Sequence, residues 1–566
     1  MALQLASPGI RVREVDLTRG GVNATLNVAA GIAAPFKKGP VNEVVRITNE
    51  KELVEVFGGP GAGLTDYHYE SWYAASNFLS YGGQLDVVRA GGGELNNANA
   101  GVGIASTTAL RVDSYDDYNN NHTTDSSFYW AAKNPGHWAE NVKVCVIDAS
   151  ADQRISGVLT TSVGVGTTVV SHGLQVGYAV TQALSGVSVG VGTTAAADGY
   201  LKGLITGIGA SFVDVKVVSY VSGLGTETSV DYQSNSLYQF TTGEIGISSS
   251  TIGDVGFMTG TKANTDWYDQ QNILTSVVDG GSDAITLSWR SVLGKPGTNS
   301  YVSQRNGRND GLNVVVIDAN GSVTGNVGTI LEKFSNLSKA KDAEVSPQKS
   351  VYYKDYLATN SQYVYAGLSP VNASDSYWGT QSRPGGFSSG VTPITAAVGA
   401  WGQEAQDITF SSLGNASYRL TGGKDYQGIG YFDAPLGDLL TAYGKLEDPV
   451  NSDIRFLLQG SAHKSKEEEQ AKANKLISIC ESRKDCVAFI SPNRDSVVNV
   501  TSATTQLTNV LSFFSPLTSS SYAVFDSGYQ YAYDRFNKKF VYMPCSNDVA
   551  GLCVRTDRDQ FPWFSP

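Results

Sequence analysis

The sequence predicts a multidomain α/β chain of mixed α+β character, in which an α/β core is interrupted by inserted β-rich domains, barrel or sandwich, and preceded by an extended N-terminal arm. Three observations carry this. The first ninety residues alternate short apolar strands with helical runs. From about 94 to 260 the chain turns to Val, Gly, Ser and Thr with almost no helical periodicity. Helical periodicity then returns after about 350 and includes a β-α-β unit.

Residues 7–20 alternate enough to form a strand, yet nothing adjacent in sequence pairs with them. Val28 to Ile32 reads as a short buried strand. Thr48 or Asn49 can cap a helix from Glu50 to Val56, ended by Gly58. Tyr67 to Tyr81 reads as a second helix with Trp72, Ala75, Ser76 and Leu79 on one face, Phe78 beside them, and Gly82-Gly83 as its stop. Leu85 to Ala90 is then a strand, and Gly91-Gly92-Gly93 marks a boundary.

The following stretch contains an echo. Ser162-Val163-Gly164-Val165-Gly166-Thr167-Thr168 recurs at Ser188-Val189-Gly190-Val191-Gly192-Thr193-Thr194. Two copies are too few for a solenoid and fit two similar hairpins of a small barrel or sandwich. Leu312 to Asp318 reads as a strand ending in a turn at Asn320-Gly321, and Thr329 to Leu337 as a short helix. Residues 94–345 are therefore expected to form two β-rich insertions between the core segments 23–93 and 346–566, with 1–22 as the arm.

In the second core segment, Ile454 to Leu458 is a strand. Ser465 caps a helix whose first turn is Lys466-Glu467-Glu468-Glu469 and whose last turn holds Arg483 and Lys484, the charge order that suits the helix dipole. Ala473, Leu476, Ile477 and Cys480 form its apolar stripe. Val487 to Ile490 follows, so the sheet here is parallel. A Thr/Asn/Leu helix runs to Phe514. Tyr529, Tyr531, Tyr533, Phe536, Phe540 and Tyr542 form an aromatic antiparallel pair. The chain stops on Phe561-Pro562-Trp563-Phe564-Ser565-Pro566, which reads as an end short of the natural one.

Composition narrows the function. With 566 residues, 41% hydrophobic and 17% charged, the chain can bury several cores under a lightly charged surface. Lys+Arg 41 against Asp+Glu 53 gives a net charge of −12, against direct nucleic-acid binding, which needs a basic face. MALQLASPGI lacks the regions of a signal peptide, and no apolar run is long enough to span a membrane. Cys145, Cys480, Cys486, Cys545 and Cys553 include no CxxC. Cys145, Cys486 and Cys553 sit in apolar, strand-like runs, which reads as buried free thiols in a reducing compartment rather than zinc ligands.

No motif carries catalysis. Gly186-Val187-Ser188-Val189-Gly190 matches the nucleophile elbow in letters but lies inside the Gly/Val repeat, without the strand and helix the elbow needs. There is no phosphate-binding G-x-x-x-x-G-K-[ST]. His68, His122, His137, His172 and His463 are scattered, so no metal site or triad is indicated. Asp318-Ala319-Asn320-Gly321-Ser322 resembles the start of a calcium loop but has Thr329 where the closing Glu belongs. Arg494 and Asp495 follow a parallel strand, the usual place for an α/β ligand site, and read as an ion pair or a subunit contact. No catalytic, cofactor-binding or metal residue is assigned.

The chain resembles the tail sheath proteins of contractile-tailed, T4-like bacteriophages. The resemblance rests on Ser7-Pro8-Gly9-Ile10 with Val12 and Glu14, then Gly39-Pro40, Thr48-Asn49-Glu50, Leu53-Val54, Phe57-Gly58, Asn77-Phe78-Leu79-x-Tyr81-Gly82 and Val87-Val88-Arg89-Ala90. Later come Asn134-Pro135-Gly136, Leu420-Thr421-Gly422-Gly423, Asp485-Cys486, Ser491-Pro492, Tyr529-x-Tyr531-x-Tyr533-Asp534, Ala550-Gly551-Leu552-Cys553-x-Arg555-Thr556-Asp557 and Trp563-x-Ser565-Pro566. Residues 140–310 match poorly, as outward insertions would.

The resemblance implies a structural subunit, not an enzyme, that forms a homo-oligomer of stacked rings around the tail tube. It implies contacts with baseplate and tail terminator proteins, and a sheath that contracts to drive the tube through the host envelope. It also implies a virion location after assembly in the host cytoplasm, and an arm at Ser7, Pro8, Gly9, Ile10, Val12 and Glu14 that lends a strand to a neighbour. In that family the chain continues into a C-terminal inner domain with a second arm, absent here, so the sheet that receives an arm is expected to be incomplete. The rival readings are a β-rich receptor-binding or adhesive virion protein, an α/β enzyme using Arg494 and Asp495, and the sheath of a related contractile injection system.

Overall fold

The computed structural model describes residues 28–60, 68–101, 109–148, 153–156, 179–184, 199–208, 212–221, 227–229, 267–274, 287–369, 398–399, 401–410, 413, 415–426, 433–560 and 564–565. The arm, the repeated segments at 162–168 and 188–194, the Gly186–Gly190 motif and His172 lie outside the described residues. The chain divides into two compact units, one of residues 1–94 and 426–566, the other of residues 95–425.

The first unit is built on a six-stranded sheet. Its strands are β1 (Ala29–Ala34), β2 (Val44–Ile47), β3 (Gln84–Arg89), β4 (Phe456–Leu458), β5 (Val487–Ile490) and β6 (Ala523–Phe525), in the order β2-β3-β1-β4-β5-β6. Only β2 pairs antiparallel; every other neighbour is parallel. A parallel sheet is covered on both faces, so its central strands β1, β4 and β5 are apolar. β1 is Ala-Ala-Gly-Ile-Ala-Ala and wholly buried. Its Gly31 lies under tight packing, since a Cβ there would meet Ile454 Cδ1 and Leu446 Cδ1 at 2.9 Å and those side chains would have to shift.

The helices form as their caps dictate. α1 (Glu50–Phe57) begins where the Asn49 side chain accepts the Glu52 N–H at 3.0 Å, and ends at Gly58, whose φ of 80° suits a residue without a Cβ. α2 (His68–Ser80) is buried on nearly every side, because β1 and β3, α1 and the C-terminal elements all pack on it. α3 (Leu436–Gly444) precedes β4. α4 (Lys466–Arg483) carries a full capping box between Ser465 and Glu468, and Lys484 closes it in the left-handed conformation. β4, α4 and β5 form the parallel β-α-β unit that the sequence predicts. α5 (Ala503–Phe514) leads to β6. β7 (Tyr529–Asp534) and β8 (Lys539–Pro544) form the aromatic hairpin, and α6 (Ser546–Asp559) follows. Val541, Met543, Ala550 and Val554 share one core with Trp72, Tyr73 and Phe78, so the two distant chain segments fold as one body.

The second unit is mainly antiparallel. Thr329–Ser338, Gly311–Asp318, Val142–Asp148 and Asn415–Arg419 lie side by side in that order. Val364–Ala366, Phe128–Ala132 and Asn99–Gly101 form a second sheet. Gln153–Ser156, Ala179–Leu184, Gly199–Ile208, Phe212–Val221 and Glu227–Ser229 form a third.

Three expectations need correction. Thr329–Leu337 is a strand, not a helix. Two register shifts against Gly311–Asp318 break its alternation, so Ile330, Leu331, Phe334 and Leu337 fall at helix-like spacing although the backbone is extended. The boundary expected at 345 falls inside the second unit, because Val364–Ala366 and Asn415–Arg419 complete its sheets and the chain returns to the first unit only at 426. Cys553 lies on α6 and is half-buried rather than in a buried strand, whereas Cys145, Cys480 and Cys486 are buried; all five are free thiols.

Candidate assembly surface and the buried charge beneath it

Where β4 and β5 end, α/β proteins commonly place ligands. Here the position is occupied by the chain's own charges. Glu70, from α2, has no exposed side-chain surface. Arg494, on the short turn Arg494–Ser496 after β5, donates from Nη1 to Glu70 Oε1 at 2.8 Å and to Tyr69 Oη at 2.6 Å. The Ala462 N–H donates to Glu70 Oε2 at 3.1 Å. Burial pushes the Glu70 carboxyl above its usual range, against the opposing pull of His463 and Arg494. His463 Nε2 lies 3.2 Å from Asp433 Oδ2, and Lys464 pairs with the same carboxylate. Burial works to raise the Asp433 carboxyl, but hydrogen bonding and charge from His463 and Lys464 outweigh it and hold it low.

The network continues into α4. Glu469 meets Lys472 at 2.8 Å and accepts the Gln459 amide at 3.0 Å, while Lys472 Nζ donates to the Ser461 carbonyl at 2.6 Å. Gln459 Oε1 in turn accepts the Ser491 N–H at 2.6 Å. These groups bind α2, the loop after β4 and the loop after β5 to one another. Such an arrangement holds the loops in place. Arg494 therefore pairs with Glu70 rather than with its neighbour; Asp495 is exposed.

The other sequence candidates resolve as turns. Asp318 Oδ2 accepts the Val323 and Thr324 N–H groups at 3.1 and 2.7 Å, and Thr324 Oγ1 at 2.8 Å. Gly321 takes a φ of 78°. The calcium-like segment thus closes a hairpin turn. Among the described residues no group of three or more His, Cys, Asp or Glu side chains could hold a metal ion, and no helix is long and apolar enough to cross a membrane.

The surface of the first unit is more telling. β6 is the last strand of its sheet among the described residues, and Phe525 on it is 44% exposed. Phe525 stacks on Phe514 of α5 with ring centroids 4.7 Å apart. Leu511 and Leu507 precede Phe514 by one and two helical turns and are each 60% exposed. Only Phe513 of this helix turns fully inward. On the aromatic hairpin, Tyr531 faces Tyr542 and Tyr533 faces Phe540 across the strands, and Tyr531 stacks on Phe540 at 5.2 Å. Tyr531, Tyr533 and Phe540 are each more than half exposed. Apolar patches beside an open sheet edge are the features of a surface meant to be covered.

Sequence reading missed Glu70, whose one signal was the single carboxylate in a helix rich in aromatic and small residues. It also missed the outward leucines of α5, because an apolar stripe at helical spacing gives no sign of whether its cover lies in the same chain. The proposed arm residues Ser7, Pro8, Gly9, Ile10, Val12 and Glu14 lie outside the described residues.

The first unit thus pairs its buried charges internally and leaves apolar faces exposed. No family model matches the chain. The tail sheath protein of Enterobacteria phage T4 is 25% identical over 585 aligned residues, spanning 100% of this chain and 74% of that protein. The tail sheath protein of Vibrio phage KVP40 is 23% identical over 615, spanning 100% and 75%. The tail sheath protein of Salmonella phage ViI is 34% identical over 90 residues, 16% of this chain and 14% of that one. A solved sheath tail protein from Listeria innocua aligns with 94% of this chain and 56% of its own at 7% identity, with a TM-score of 0.29, too low to describe a shared overall fold. The resemblance to phage tail sheath proteins read from short motifs thus extends along the whole chain.

Proposed function

We propose that this chain is a structural subunit of a phage contractile tail sheath, without enzymatic activity. The observation that carries the reading is end-to-end similarity to two tail sheath proteins. Subunits polymerise helically around the tail tube, meeting baseplate and terminator proteins at the ends of the array. Contacts along the axis are heterologous and non-closing, as a helical polymer requires. The exposed faces of α5, β6 and the aromatic hairpin supply contacts between copies, and Asp495 lies where a further contact can form. The arm at residues 7–20 adds a strand to a neighbour's sheet; backbone hydrogen bonds give such a joint strength without demanding particular side chains.

The array assembles extended and metastable in the host cytoplasm. A trigger lets the subunits re-pack as rigid bodies, the sheath shortens, and the tube is driven through the envelope for genome ejection. Better interfaces in the contracted state provide the energy.

Deletion of residues 1–20 tests the joint. The deleted protein is expected to stay folded by circular dichroism and to form no sheath polymers by electron microscopy. Normal polymers from it would refute the strand-lending role.

A further inference from the structure

In the second unit, Lys339 and Asp148 meet with side chains that have no exposed surface, Nζ standing 2.5 Å from Oδ2. Asp148 ends the strand Val142–Asp148, and Lys339 follows the strand Thr329–Ser338. Gly311–Asp318 runs between these strands, pairing Leu312 with Asp148 and Gly311 with Ser338. The amine and the carboxyl therefore meet across the end of a central strand. Lys339 Nζ also donates to the Asn309 carbonyl at 2.8 Å and lies 4.9 Å from the ring centre of Trp401. The Leu413 N–H donates to Asp148 Oδ2 at 2.8 Å. A third carboxyl, Asp310, is held at the same end by Ser338 and Asn299.

We propose that Lys339 and Asp148 become joined by an amide bond, an intramolecular cross-link formed with the release of one water. The geometry supplies what the condensation needs. An amine and a carboxyl are fixed in contact, which replaces a bimolecular encounter. Water, which would reverse the reaction, is excluded. A backbone N–H is aimed at the carboxyl oxygen on which charge builds during attack.

The step balances without any co-reactant. A proton passes from Nζ to the carboxylate, giving a neutral amine and a carboxylic acid. The nitrogen lone pair adds to Cγ. One C–O bond then breaks, and that oxygen leaves as water with the acid proton and a second proton from nitrogen, while the C–N bond remains. Burial lowers the Lys339 amine from its usual value, against the pull of Asp148 and Asp310, which favours the neutral amine that the attack needs.

Intact-mass spectrometry of the folded chain, unfolded only for injection, reads this directly. The expected mass is that of the sequence less one water, with a branched tryptic peptide joining the segments that carry Asp148 and Lys339. Lys339→Arg and Asp148→Ala are expected at their full sequence masses. A natural chain at full sequence mass, with the two segments recovered as separate linear peptides, overturns the proposal. So does a lost water located elsewhere. The reading on the natural chain does not depend on whether either variant folds.

Discussion

Arg494 Nη1 stands 2.8 Å from Glu70 Oε1, although 424 residues separate the two in sequence. The pair joins the first segment of the α/β unit to the second, across the place where the chain leaves for a whole further unit and returns. Removing one partner of a buried pair leaves the other charge without compensation. Glu70→Ala is expected to lower stability by about 3 kcal/mol, measured by urea unfolding of the purified protein. Asp495→Ala, at the exposed neighbour, should change it by less than about 0.5 kcal/mol. Equal losses from both would refute the assignment of Glu70 as the partner that matters.

Asp548 on α6 gives a pH prediction. Burial raises its carboxyl to about 6, with a hydrogen bond from Asn77 pulling the other way. The unfolded value is about 3.9. Between the two the native state holds more protons than the unfolded state, so this group's contribution is full below the unfolded value and lost as pH rises through the folded one. Asp548→Asn should therefore flatten the decline in stability from about pH 4 to pH 6. Unfolding midpoints across that window check it; an unchanged slope would show that Asp548 is not the group responsible.

The capping box at Ser465 predicts a local loss. Ser465 Oγ accepts the Glu468 N–H while the Glu468 carboxylate returns to the Ser465 N–H. Ser465→Ala should lower stability by about 1 kcal/mol, read from the denaturation midpoint, whereas substitution of the exposed Glu467 should leave the midpoint in place.

The exposed apolar faces predict a separation of folding from assembly. Leu507→Glu with Leu511→Glu, and separately Tyr531→Ser with Phe540→Ser, change side chains that are mostly in solvent. Each pair is expected to keep a native circular dichroism spectrum and lose self-association in light scattering. Full self-association by both would remove these faces from the assembly contacts.

Much of the α/β unit was legible in sequence because its signals are local. Asn49 and Gly58 bound α1, Ser465 and Lys484 bound α4, and the apolar runs of β1 and β5 are continuous as parallel strands require. The strand Thr329–Ser338 was not legible, because two bulges gave it the spacing of a helix. The return point at 426 was hidden for a related reason: Val364–Ala366 and Asn415–Arg419 join their sheets through partners far away in sequence. The charge cluster around Glu70 draws on α2, on the segment before α3 and on two loops, so no stretch of sequence displays it. The arm was read from its alternation and from family motifs, and its role rests on the proposal above.

The central claim concerns where many copies of this protein reside. Immunogold electron microscopy of phage particles that carry it, using antibody against the chain, tests this most directly. The prediction is dense, regular labelling along the whole outer cylinder of the tail, moving with that cylinder when it shortens. Labelling confined to the tail tip or to fibres would contradict the sheath assignment and favour a receptor-binding role.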